Sequence, residues 1–215
     1  MKQKTSRTQG SRYYPKRYDF DPASRDAVLD EGFVCHIGFV RDGQPFVIPT
    51  GYCREGNTLY LHGSVGSHFF MHLAQGVPIC ATVTLVDGLV LARSIFNHSM
   101  NYRSVVAFGK TRLVTDEAEK QLAAERFSEH VLPGRWAEAR PPSPSEMKKT
   151  MFIALDIEEA TVKFRAHGVG DDEADMGLAV WSGVLPLRLL PLEPEPDESG
   201  VAGLPVPGYI ADYQR

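Results

Sequence analysis

With 215 residues, 43% of them hydrophobic, the chain can bury one sizeable core, and a single domain with extra tails is expected. A net charge of −4, from 23 Lys and Arg against 27 Asp and Glu, argues against nucleic acid as a partner. No apolar run reaches the roughly 18 to 20 residues that span a bilayer, and Cys35, Cys53 and Cys80 sit in apolar runs without a CxxC spacing, so the expectation is a cytoplasmic protein with packed, reduced thiols, no membrane partner and no metal cage.

Residues 1–18 carry Lys2, Lys4, Arg7, Arg12, Lys16 and Arg17 without one acid, which predicts a basic, flexible arm. Asp21-Pro22-Ala23 opens a short helix that runs through Leu29 and closes at Glu31-Gly32. Two β-type runs, Phe33 to Val40 and Pro45 to Tyr52, flank Arg41-Asp42-Gly43, a hairpin signal because Asp-Gly accepts positive φ. Pro49 cannot donate a ladder hydrogen bond, so the second run is an edge strand or is bulged.

The stretch Leu59 to Leu73 changes period in the middle. Leu59 and Leu61 alternate as in a strand, whereas Phe69, Phe70 and Leu73 fall at helical spacing. Between them, Gly63-Ser64-Val65-Gly66-Ser67 is a tight connection with Ser67 as N-cap. Ser64, Ser67 and the N–H groups of the first turn then face one small volume that suits an anion, and His68 can add a charge-assisted bond. The plainer alternative is a capped helix after a glycine turn. His62, His68 and His72 are also weighed as metal or haem ligands, since His68 and His72 lie four apart on one helix face, but no third ligand is paired with them by spacing.

Pro78 to Val86 reads as a buried strand, turned at Asp87-Gly88 into Leu89 to Ser94. After a polar connection comes a long strand from Tyr102 to Val114, with Gly109 marking a bulge or sharp bend. Thr115 is the expected cap of a helix that turns Leu122, Ala123, Phe127 and Val131 inward and ends at Pro133-Gly134. Met151 to Ile157 and Thr161 to Arg165 are further strands, and residues 188–215 form a Pro- and Glu-rich tail. Six or so closely spaced strands, mostly joined by tight turns, point to an antiparallel barrel or sandwich with flanking helices.

Several separated motifs, in order, carry a resemblance: Val47-Ile48-Pro49-Thr50; Leu59 to Ser64 with Gly66-Ser67; Asp87 to Ser94; His98 to Val106; and Val180-Trp181-Ser182-Gly183-Val184-Leu185-Pro186. Between about Asp19 and Leu187 the sequence resembles the pyridoxamine 5′-phosphate oxidase-related, FMN-binding split-barrel proteins, the group that includes nitroimidazole-resistance proteins. The resemblance implies a mainly β, antiparallel split β-barrel over residues 19–187. It also implies a homodimer with FMN, or FAD, held between subunits. Carried onto this chain, the flavin contacts fall on Val47, Ile48, Pro49 and Thr50, then on His62, Gly63, Ser64, Ser67 and His68 at the phosphate, and on Ser104 at the ring. Arg103, or the strand carrying Arg93, is offered as a compensating cation, because His68 and Phe69 stand where the oxidases have two basic residues. Trp181 would close over the ring from the partner subunit. No counterpart of the oxidases' C-terminal substrate-phosphate arginine motif is found, so vitamin B6 oxidation is not expected.

The function this implies is electron transfer from reduced flavin to a small molecule such as a nitroaromatic or a quinone, with the flavin carrying the electrons and no catalytic acid or base named. The alternatives are a non-catalytic flavin-sequestering protein and a haem-binding split barrel using His62, His68 or His98.

Overall fold

The computed structural model describes residues 5–8, 10, 13–201 and 203–214. After β1 (Tyr18–Asp19), Asp21 caps α1 (Pro22–Glu31) by accepting from the Ala23 N–H, with Pro22 in the first turn where no helical donor is lost. β2 (Val34–Arg41) and β3 (Gln44–Gly51) form the expected hairpin, and Asp42 and Gly43 take φ values of 54° and 77° in its turn. β4 (Cys53–Glu55) and β5 (Thr58–Ser64) make a second hairpin, again with a two-residue loop, before α2 (His68–Leu73). Then follow β6 (Pro78–Leu91), β7 (Ser99–Leu113), α3 (Glu117–Val131), α4 (Arg135–Glu138), α5 (Pro144–Lys149), β8 (Thr150–Asp156), β9 (Glu159–Arg165), β10 (Gly183–Pro186) and α6 (Gly208–Ala211).

All strand pairs are antiparallel, in the order β3-β2-β6-β7-β8-β5-β4, with β9 and β10 attached to β7 and β6 and β1 attached to β9. The barrel splits along β7, which pairs with β9 from Tyr102 to Phe108 and with β8 from Thr111 to Leu113. Gly109 lies where the partner changes. A Cβ there would stand 2.3 Å from the Asp156 carbonyl oxygen, so two backbones pass at a distance only glycine permits. The β6–β7 register runs unbroken through Ile79 and Gly109, so of the bulge or sharp bend expected here there is no bulge, and the glycine marks a close approach where β7 changes partner.

The bulge is elsewhere. Asp87-Gly88 does not turn the chain: β6 continues through it, and its register with β7 slips between Val86 and Gly88. Two distant partners keep it extended, β10 pairing with Gly88 to Leu91 on one edge and the Arg103 guanidinium holding the Asp87 carboxylate at 2.7 and 3.0 Å. At α3, Asp116 and not Thr115 is the cap, accepting from the Glu119 N–H at 2.9 Å; Ala123 is buried and Val131 is exposed.

Alternate residues of β2 (Cys35, Ile37, Phe39), β6 (Ile79, Ala81, Val83) and β7 (Val105, Ala107) fill the barrel, each large apolar side chain contributing about 1.5–3 kcal/mol on burial. A smaller cluster of Cys53, Tyr60, Val114, Ala123, Phe152 and Ala154 sits under α3. Burial pushes the Cys35 and Cys53 thiols up to about 12. Of the basic arm, Arg7 pairs with Glu158 and Glu159 and lies over the Phe108 ring, and Thr8 is buried. Lys2, Lys4 and Arg12 lie outside the described residues. At the other end, Tyr209 meets Arg135 and Glu138, and Tyr213 donates to the Val131 carbonyl. Among the described residues no helix is long and apolar enough to cross a membrane.

Candidate cofactor site

β3 is an edge strand, the first of the two placements expected from Pro49. Its register with β2 turns Phe46, Ile48 and Thr50 toward the barrel opposite Phe39, Ile37 and Cys35, and leaves Val47 and Pro49 on the outer face beside Gly38 and His36. That outer face continues through Thr82 and Thr84 of β6 to Val106 and Ser104 of β7. Val47, Pro49 and Ser104 therefore share one open sheet face, with Val47 68% exposed. Arg103, the next residue, points the other way. Its guanidinium binds Glu31 at 2.5 and 2.8 Å and Asp87 at 2.7 Å, and these carboxylates raise its pKa; in this arrangement it serves the α1–β6 contact.

The β5–α2 junction forms the second wall. His62 is half-buried, its ring edge-on to Phe127 at 4.2 Å, and burial lowers its pKa. Gly63 rides on Phe70, whose ring would stand 2.1 Å from a Cβ. Ser64 Oγ accepts the Gly66 N–H at 3.2 Å, and the Ser64 carbonyl accepts the Ser67 N–H at 3.0 Å. Ser67 occupies the N-cap position, yet its hydroxyl makes no cap hydrogen bond, and the N–H groups of His68, Phe69 and Phe70 find no acceptor among the described residues.

Two aromatic rings, neither legible as a site residue, tie the walls together. Phe39 stacks on Phe46 at 5.3 Å and lies 5.6 Å from Phe69 and 5.2 Å from His72, joining β3 to α2. Phe127 packs between Gly51 and His62, joining the other end of β3 to β5. Beside them a cavity of about 450 Å³ is lined by Val40, Arg41, Asp42, His68, Met71, His72 and Gln75. His72 Nε2 is buried and has no hydrogen-bond partner among the described residues, whereas His68 is exposed. His98 is engaged, with Nε2 3.1 Å from the Ala92 carbonyl oxygen. No three His, Cys, Asp or Glu side chains form a metal cage among the described residues.

Trp181 does not join this site within one chain. It precedes β10, whose Gly183 pairs with Leu91, whereas β2 pairs with β6 at Cys80 to Thr82. That offset along β6 is roughly 30 Å at the rise of an extended strand.

Residues 21–164 match the family model described as pyridoxamine 5′-phosphate oxidase. The chain belongs to the pyridoxamine 5′-phosphate oxidase family. Its structure is similar to that of the flavocytochrome Anf3 from Azotobacter vinelandii, with a TM-score of 0.89 and 38% identity over 98% of this chain and 97% of the other. The FAD and heme binding protein from Mycobacterium smegmatis follows, with a TM-score of 0.87 and 32% identity over 91% and 96%. A protein from Bacteroides thetaiotaomicron assigned to 5-nitroimidazole antibiotic resistance shares the fold, with a TM-score of 0.57 and 21% identity over 68% and 86%. The comparison with curated proteins gave no match. The family's split barrel is thus the architecture expected from the motifs.

Proposed function

We propose that this member of the family is a flavin- and haem-binding electron-transfer protein that works as a homodimer. The observation that carries the reading is the near full-length likeness, at 38% identity, to a protein named a flavocytochrome, joined by a second relative named for FAD and haem. We read the flavin as FAD, after the second relative; FMN is the expectation from the wider family, and the mass of the released cofactor separates them.

The residues present fit both groups. The outer face bearing Val47, Pro49 and Ser104 is open to a flat ring, and the Ser67 hydroxyl with the unpaired N–H groups after it offers donors to a phosphate. Trp181 of the partner subunit would cover the ring from the far side. His68 and the orphaned nitrogen of His72 are the candidate haem ligands, with Val40 and Met71 as apolar wall and Arg41 as counter-charge for a propionate. A bound flavin supplies one- and two-electron chemistry and a haem one-electron carriage, delivered here to a small acceptor such as a nitroaromatic or a quinone. The chain's own part is positional: Phe39 and Phe127 pack the two walls together, and burial lowers the pKa of His62.

The test is reconstitution with FAD and hemin, followed by anaerobic reduction and mixing with menadione or nitrofurazone. Reoxidation faster than that of free flavin, with a Soret band lost in His68→Ala or His72→Ala, is expected. Reoxidation at the rate of free flavin contradicts the electron-transfer reading, and a Soret band unchanged in both variants contradicts the assignment of the haem ligands.

A further inference from the structure

Past β7 the outer side of the barrel changes character. Ser104 of β7 stands opposite Lys163 of β9, Lys163 stands opposite Tyr18 of β1, and one row further on Tyr102 stands opposite Arg165. Directly paired residues share a face, so Lys163 and Arg165 project on the side of Ser104, one strand or about 4.8 Å beyond it. The Lys163 ammonium lies over two rings, 5.4 Å from the centre of Tyr102 and 5.8 Å from that of Tyr18. Arg165 Nη1 donates to Asn101 Oδ1 at 2.6 Å. The N-terminal arm supplies a wall along this strand. Arg7 lies over the Phe108 ring, and Gly10 presses on Tyr18, where a Cβ would stand 2.7 Å from the ring. The 3-10 turn Pro15–Arg17 then lays the Arg17 guanidinium on Tyr14, 3.9 Å from the ring centre.

Arg17, Lys163 and Arg165 thus gather around three tyrosines, and among the described residues none of the three cations pairs with a carboxylate. The neighbouring acids are engaged elsewhere. Asp19 accepts from the Phe20 and Asp21 N–H groups and from the Ser24 hydroxyl, Glu31 and Asp87 hold Arg103 on the opposite face, and Glu158 and Glu159 hold Arg7. Burial and the charge of Arg17 lower the Arg165 pKa, as like charges do when no acid lies between them. In a chain of net charge −4, such a gathering is a standing cost that a bound anion removes. Guanidinium groups offer paired donors to a planar carboxylate, and the tyrosines offer faces to an aromatic body.

We propose that this recess selects an anionic aromatic electron acceptor, a nitroaromatic carboxylate, by holding its carboxylate against Arg17 and Arg165 while its ring reaches toward Ser104. Two electrons and two protons leaving the reduced flavin then turn the nitro group into a nitroso group and water, and the carboxylate is unchanged. The proposal rests on the reading of Val47, Pro49 and Ser104 as the flavin face. It extends that reading by naming the charge class of the acceptor and the residues that choose it.

Calorimetric titration of the full chain, as purified, with 4-nitrobenzoate and with 4-nitrobenzamide, its neutral match in size, tests it. The carboxylate should bind roughly tenfold or more tightly than the amide, and about 500 mM salt should remove most of the difference. Arg17→Gln and Arg165→Gln should each abolish most of that preference and leave the affinity for the amide unchanged. Arg165 also holds Asn101, so if Arg165→Gln fails to fold, Arg17→Gln still decides, since the Arg17 guanidinium makes no hydrogen bond among the described residues. Equal binding of the two compounds, binding of neither, or a preference kept in Arg17→Gln would overturn the proposal. Flavin content is read separately by absorbance, and its loss in folded variants would give these cations to the cofactor's own phosphates and likewise overturn it. A flavin-free protein that prefers the carboxylate through Arg17 keeps the anion site and removes the electron-transfer reading; a flavin-loaded protein without the preference does the reverse.

Discussion

Replacing Ser67 with alanine separates a capping role from a binding one. At an ordinary N-cap the hydroxyl holds a first-turn N–H, and its loss costs about 1 kcal/mol of stability. Ser67 makes no such bond, so Ser67→Ala should move the urea midpoint by less than the equivalent of about 0.5 kcal/mol. The hydroxyl is then available to a flavin phosphate. One hydrogen bond to a charged group is worth about 1.5–3 kcal/mol, or roughly a 10- to 150-fold rise in Kd at about 1.4 kcal/mol per decade. Quenching of flavin fluorescence on titration with the apo-protein measures the affinity, and urea unfolding of the same samples measures the stability. Unchanged affinity places the phosphate elsewhere, and a stability loss near 1 kcal/mol restores Ser67 to ordinary capping.

Gly109→Ala forces a Cβ to within 2.3 Å of the Asp156 carbonyl oxygen, where neither backbone can retreat from its ladder, and should cost about 2–3 kcal/mol in urea unfolding. Gly168→Ala, with nothing within 4 Å of its Cβ, should be neutral to slightly stabilising. Cys35 and Cys53 are buried with thiols raised to about 12, so a thiol reagent at pH 8 should titrate Cys80 alone in the native protein and all three cysteines in urea; fast reaction of two or more without urea contradicts this packing. Burial holds His62 below 6.5, so the unfolded chain protonates first: the stability tied to His62 is complete above the unfolded value and is lost as the pH falls through the folded one. Urea midpoints of the apo-protein should fall between pH 7.5 and 5, and less steeply in His62→Gln.

What was legible in the sequence was local. Asp42-Gly43 sets its own backbone, Asp21-Pro22 starts its own helix, and Pro49 excludes a central strand by lacking a donor, so hairpin, helix and edge followed directly. Asp87-Gly88 looked like another hairpin turn because the deciding partners, Arg103 and β10, are 16 and about 100 residues away. The same distance effect hid the two rings that assemble the site, since Phe39 and Phe127 read only as apolar residues of a strand and a helix. Ser67 was legible as a cap by position, but not the absence of its bond. The alternation that places Ser104 with Val47 and Pro49 also turns Arg103 away to Glu31, a fact that needs strand register and not merely strand identity.

The measurement that bears most directly on the central claim is the absorption spectrum of the purified protein, with mass spectrometry of what heat releases from it. Flavin bands and a Soret band together, with an FAD mass and haem, are expected. A colourless protein that also fails to take up added FMN, FAD and hemin would leave the split barrel standing and contradict the function drawn from it.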